Sequence, residues 1–173
     1  AGVNYLTSEA VAVMDEFGGN RTAYSYRQDA IQSEQNQVVK YLPDGDEALG
    51  IPATSDNPIL AGNDWIVLRY ADVLLMHAEA IMAGASMTND LTALGSFNQV
   101  RERAGLPSLD IISKDDLLLE RRVELAFENQ RLFDLIRFGV AEAVLSEFAS
   151  NNGYSFSAND LLLPIPDNEI GLS

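Results

Sequence analysis

Two stretches constrain this chain more than any other part of it: Asn63–Ala80, NDWIVLRYADVLLMHAEA, and Glu120–Gly139, ERRVELAFENQRLFDLIRFG. Each places apolar residues at helical spacing and sets several ions beside the apolar face. A helix with so little freely polar circumference is packed on most sides, and its ions persist there only with partners. The chain therefore reads as mainly α, a packed helical framework.

Residues 1–64 and 65–173 differ in character. The first region offers one helix, Ser8–Phe17, capped by Thr7 or Ser8 and ended by Gly18 and Gly19. VVKYL at 38–42 is its best strand, and PDGDEALGIPATSDNPILAGND is a long run of turn residues. The second region is helix after helix. Asn63 or Asp64 caps the first, which runs to Ala83 and stops at Gly84, with Trp65 stapling its start. Asn89 or Asp90 starts the next, with Leu91, Leu94, Phe97 and Val100 on one stripe and Gly105 and Pro107 at its end. Together they form an αα-hairpin similar to a tetratricopeptide unit, without a second copy in register.

Ser113 opens a third helix, with Asp116 at the capping-box position. Its spacing carries it through Phe127, with a bend near Asn129 and Gln130, to Phe138. Val140–Ala149 reads as a short amphipathic helix. LLLPIPDNEI follows as an extended apolar tail, since Pro164 and Pro166 exclude a helix, and it is expected to dock on the helices.

Glu120, Glu124 and Glu128 lie at i, i+4 and i+8, on one helical face. Paired carboxylates can hydrolyse glycosides, but a sugar ring must fit between opposed carboxyls, whereas these share one helix. Arg121 is three residues from Glu124 and Arg131 three from Glu128, a spacing that keeps both ionised. The residues are therefore read as structural ion pairs: Arg69, Arg121, Arg122 and Arg131 linking helices through Glu79, Glu120, Glu124 and Glu128. His77 is the sole histidine and there is no cysteine, so neither a catalytic zinc nor a Ser-His-Asp triad is supported. Asp44-Gly-Asp46-Glu47 lacks the ligand alternation of a calcium loop and reads as a solvated turn. No phosphate-binding glycine motif occurs, so no cofactor is expected.

A net charge of −15, spread along the chain, repels a phosphate backbone and argues against nucleic acid. No apolar run is long enough to span a bilayer, and AGVNYLTSEA has no signal-peptide character. Sugar recognition would show in aromatics outside the packed helices, since a pyranose stacks on a flat ring and its hydroxyls pair with amides and ions. Tyr5, Asn20, Arg21, Tyr24, Tyr26 and Arg27 are the candidates, centred on GGNRTAYSYRQ at 18–28. A second reading stays open, in which Tyr24 and Tyr26 face a core from a short strand.

RYADVLLMHAEA, FNQVRERAGL, ERRVELAFENQRLFDLIRFG and LLLPIPDNEI occur in that order and at the spacing typical of the C-terminal half of SusD/RagB-type proteins, which this chain resembles. The resemblance implies a SusD-like fold: tetratricopeptide-like helical hairpins packed with a loop-rich segment and an extended C-terminal tail. It implies a non-catalytic, surface-exposed lipoprotein of the cell outer membrane. Such a protein binds oligosaccharides, or peptides, and delivers them to a SusC-like TonB-dependent transporter barrel. It further implies an N-terminal half of the same protein, and a lipid anchor outside these 173 residues as the sole membrane contact. A tetratricopeptide-type adaptor for protein segments is the alternative reading, and a glycoside hydrolase a more distant one.

Overall fold

Thr7 opens the first helix: its hydroxyl accepts the Ala10 amide at 3.2 Å, and α1 runs Ser8–Phe17. The architecture is taken from a computed structural model that describes residues 4–41, 45–55, 62, 64, 66–162, 165–166 and 169. After Gly18 the backbone turns left-handed at Gly19 (φ 58°) into a short 3₁₀ helix, Gly19–Tyr24. A left-handed turn there suits glycine, and a Cβ would lie 2.4 Å from the Ala104 carbonyl oxygen. That same oxygen accepts the Asn20 amide at 2.8 Å. Next come β1 (Tyr26–Gln28) and β2 (Asn36–Val38), antiparallel with Tyr26 opposite Val38. The strand thus sits slightly earlier than VVKYL suggests, and Tyr5 bridges to Gln37 on its far side.

The helical hairpin consists of α2 (Tyr70–Met82) and α3 (Leu91–Arg103). Asp90 caps α3 through the amides of Thr92 (2.8 Å) and Ala93 (3.1 Å), as its sequence indicates. The start of α2 differs from expectation: helix begins at Tyr70, after Arg69 in extended conformation (φ −139°, ψ 160°). Asn63 and Trp65, expected at the helix start, lie outside the described residues. Leu75, Ala78 and Met82 of α2 are buried, as are Ala93, Phe97 and Val100 of α3. Helix α4 (Lys114–Glu124) packs on α2 and α1 and buries Leu117 and Val123. Its capping box is complete: the Ser113 hydroxyl accepts the Asp116 amide at 3.0 Å, and the Asp116 carboxylate accepts the Ser113 amide at 2.8 Å. Two short strands, β3 (Met87–Thr88) and β4 (Ile112–Ser113), pair antiparallel beside it.

Helix α4 ends at Glu124, where the sequence suggested it would continue through Phe127 and merely bend. Phe127 (φ 67°) and Asn129 (φ 60°) both adopt left-handed backbone, which breaks the helix outright.

The chain divides into two compact units, residues 1–130 and 131–173. In the second, α5 (Arg131–Arg137) and α6 (Ala141–Asn152) are followed by a short 3₁₀ helix at Ala158–Leu161. Gly153 (φ 72°) ends α6, and Phe148 stacks on Tyr154 with ring centroids 6.3 Å apart. Leu162 and Ile165 of the tail are exposed, and most of the remaining tail lies outside the described residues.

Candidate functional site

Glu120, Glu124 and Glu128 face one ionic layer. Glu120 and Glu124 are buried, at 2% exposure each. Burial of carboxylates demands compensation, and five cations supply it. Arg21 reaches from the 3₁₀ helix after α1 and donates Nη1 to Glu120 (2.5 Å) and Glu124 (2.8 Å). Its Nε and Nη2 donate to the carbonyls of Gly18 (2.8 Å) and Phe17 (3.2 Å). Arg69, just ahead of α2, spans two carboxylates: Nη1 to Glu124 at 2.6 Å and Nε to Glu128 at 2.8 Å. Arg101 and Arg103 come from the last turn of α3. The first meets Glu120 at 3.1 Å, and the second donates Nη2 to Glu124. Lys40, beyond β2, donates to Glu128 at 2.5 Å.

These cations also explain the helix break. The carbonyl of Glu124 accepts Arg69 Nη2 at 2.5 Å and Lys40 Nζ at 3.0 Å, and that of Ala126 accepts Lys40 at 3.1 Å. The last carbonyls of a helix lack intrahelical partners and carry partial negative charge, so cations placed there satisfy both needs. Two distant side chains thus cap α4.

The electrostatics follow from this layer. Burial by itself would raise the pKa of Glu124. Hydrogen bonds from Arg69 and Arg21, with the charges of Arg69 and Arg103, overcome that and hold it below the usual carboxylate range. Burial lowers the Lys40 pKa, and the Glu128 carboxylate offsets part of the effect.

The partners include cations that local spacing does not suggest. Glu124 is held by Arg21, Arg69 and Arg103, and Glu128 by Lys40 and Arg69. Arg121, 2% exposed, donates to Asp72 at 2.7 Å, and Arg122 donates to Glu9 at 2.8 Å. Asp72, Lys40, Arg101 and Arg103 take functional or structural parts that no sequence motif marks. The usable signals are a single lysine within the apolar VVKYL run and an acid inside the most apolar helix.

Above this layer opens a cavity of about 410 Å³. Lys40, Arg69, Glu124 and Glu128 form its floor, while Asn20, Arg21, Tyr24 and Tyr41 line it from the loop-rich region. Ile51 and Ile66 add apolar wall. A second hollow of about 460 Å³ shares Lys40, Tyr41, Ile51 and Ile66 and also carries Asp46 and Asp64.

Of the six sugar-contact candidates, Asn20, Arg21 and Tyr24 meet at the cavity, and Tyr24 is half exposed (48%). The other three are engaged elsewhere. Tyr26 donates its hydroxyl to Asp15 at 2.5 Å, and burial followed by that bond pushes its pKa up to about 12. Tyr5 donates to Asp29 at 3.4 Å, and Arg27 pairs with Asp46 at 2.8 Å. Asp46 also accepts the amides of Ala48 (3.1 Å) and Leu49 (3.3 Å), so its turn is a capped 3₁₀ helix; Asp44 lies outside the described residues. His77 Nδ1 hydrogen-bonds the Ser96 hydroxyl at 2.8 Å. Among the described residues no cluster of His, Asp and Glu could hold a metal ion, and no helix is long and apolar enough to cross a membrane.

Comparison with known proteins agrees with this framework. The model of the SusD family matches residues 7–173. SusD-like protein P2 of Formosa agariphila is 37% identical over 134 residues, which cover 64% of this chain and 26% of that protein. Among solved structures, a laminarin binding SusD-like protein superposes with a TM-score of 0.70 at 27% identity, covering 96% of this chain and 36% of the other. The surface glycan-binding protein A from Bacteroides uniformis gives a TM-score of 0.70 at 26% identity, covering 96% and 38%. The chain thus spans about a quarter of that curated relative and little over a third of each solved one. With a family match over nearly its whole length and the helical framework to go with it, this chain belongs to the SusD family.

Proposed function

We propose that the chain takes part in non-catalytic capture of an oligosaccharide at the cell surface and in its delivery to a TonB-dependent outer-membrane transporter. The observation that carries this reading is the open cavity where Asn20 and Tyr24 stand over a fixed ionic floor. An exposed tyrosine offers a stacking face, and an amide beside it can pair with adjacent hydroxyls. Two SusD-like structural neighbours, one named as laminarin binding and the other as a surface glycan-binding protein, support the same class of ligand. On this reading residues 65–173 supply scaffold and residues 1–64 carry part of the ligand and partner surface. The anchor is a lipid outside these residues, and an N-terminal half of the protein shares the ligand surface.

The absence of bond cleavage in this reading rests on Glu124. A general acid needs a raised pKa, whereas three guanidiniums hold Glu124 below the usual range. Glu120 of α4 and Glu128, just beyond its end, are likewise engaged by cations.

The test is affinity electrophoresis in laminarin-containing gels, with a reducing-end assay on the same mixture. Retarded migration, lost in Tyr24→Ala and Asn20→Ala, without new reducing ends, is the expected result. Migration unaffected by any neutral or acidic glycan, or release of reducing ends, overturns the reading.

A further inference from the structure

We propose that the cavity selects an anionic saccharide, a uronate whose carboxylate is taken by Arg103. This rests on the glycan-binding reading above and specifies its ligand class. The first observation is charge. The chain carries −15, yet the side chains lining the cavity comprise four cations, Arg21, Lys40, Arg69 and Arg103, against two carboxylates, Glu124 and Glu128. Counting Glu120 and Arg101 beneath them adds one charge of each sign. The excess of two positive charges therefore stays, in a concave site whose walls focus the field. Asp46 and Asp64 belong to the adjoining hollow, and Asp46 is already paired with Arg27.

The second observation is donor supply. Lys40 spends its three ammonium donors on three protein oxygens. Arg69 and Arg21 each direct Nε and both Nη groups to protein acceptors. These residues supply field but few free hydrogens. Arg103 differs: its side chain is 64% exposed, Nη2 meets Glu124, and Nε and Nη1 face no protein acceptor among the described residues. A guanidinium anchored through Nη2 and open at Nε and Nη1 keeps charge-assisted donors for a ligand carboxylate.

The third observation is neighbourhood. Asn20 is joined to the end of α3 that carries Arg103 through Ala104, whose carbonyl accepts the Asn20 main-chain amide at 2.8 Å. Neither the Asn20 side-chain amide nor the Tyr24 hydroxyl has a protein partner among the described residues. Stacking face, amide and open guanidinium thus converge on one rim. A sugar ring that bears a carboxylate uses all three, whereas a neutral ring leaves the guanidinium unpaired.

The experiment compares ligands that differ only in charge. Calorimetric titration of the whole protein, N-terminal half included, uses a short oligoglucuronate and its carboxyl-reduced, neutral counterpart, at an ionic strength of about 0.15 M, where the diffuse acidic surface is screened beyond roughly 8 Å. The uronate is expected to bind about tenfold more tightly, the worth of one charge-assisted contact. In Arg103→Gln the ratio is expected to fall towards one, and Arg103→Lys to recover part of it. Equal affinity for the two ligands overturns the anionic selectivity while leaving glycan capture intact. No binding of either ligand to the folded whole protein removes glycan capture itself, and the selectivity with it. A glutamate-rich peptide binding as tightly as the uronate would overturn the saccharide assignment. The ligand pair decides the matter even if a variant fails to fold.

Discussion

Arg69 and Glu124 are joined twice: Nη1 donates to the carboxylate at 2.6 Å and Nη2 to the main-chain carbonyl at 2.5 Å. One side chain thus neutralises a buried acid and caps the helix that carries it. Arg69→Ala removes both roles and the bond to Glu128, leaving buried oxygens short of donors. The expected loss is about 3–5 kcal/mol, read as a shift of the urea midpoint. Arg69→Lys should recover only part of this, because a compact ammonium cannot reproduce the spread of Nε, Nη1 and Nη2 over the acceptors that the planar guanidinium reaches.

Glu124 gives stability a specific pH dependence. Its folded pKa is depressed, so its charge stabilises the fold fully above the unfolded value of about 4.3. That contribution is lost as pH falls through the folded value. Wild type and Glu124→Gln should therefore differ strongly in unfolding free energy at neutral pH and converge as pH falls through the depressed folded value. A gap that stays constant as pH falls below the usual carboxylate range would contradict the assignment.

The break after α4 places Asn129 at φ 60°. Glycine adopts this backbone without penalty and alanine does not. Asn129→Gly is expected to leave the melting temperature within a few degrees or raise it, whereas Asn129→Ala should cost about 1 kcal/mol. Equal melting of the two variants would show that the turn is not held in this conformation.

Gly19 couples the turn after α1 to the end of α3. Its φ of 58°, with the Ala104 carbonyl 2.4 Å from any added Cβ, leaves no relaxed position for alanine. Gly19→Ala should cost about 1–3 kcal/mol, and it should weaken ligand binding as well, because Asn20 and Arg103 are held through this contact. Loss of binding with unchanged stability would separate the two effects.

The legible parts of this fold are those written in neighbouring residues. Thr7, Asp90 and Ser113 with Asp116 announce three helix starts, and the structure places all three where the caps predict. The mainly helical framework follows from the same local patterns, and its SusD-like character from the resemblance of four motifs in order. Two boundaries escape this logic. Ile66–Leu68 is apolar enough to pass for the first turn of α2, yet helix starts only at Tyr70. Glu124–Phe127 continues a helical pattern that the structure ends. The site shows the same division. The three glutamates stand out by spacing and Lys40 only as a lone lysine in an apolar run, while Arg101 and Arg103 do not stand out, because nothing near them in the chain records their destination.

The amino-acid order alone determined the helix starts, the ionic character of α4 and the need for its buried acids to find cations, since capping and periodicity act over three or four residues. Which cations answer, where α4 stops and which rim residues stand over the cavity were decided by tertiary structure. The reason is reach: Arg69 lies 55 residues from Glu124 and Lys40 lies 88 from Glu128. Only the folded packing brings those charges within hydrogen-bond distance of the buried oxygens that fix them.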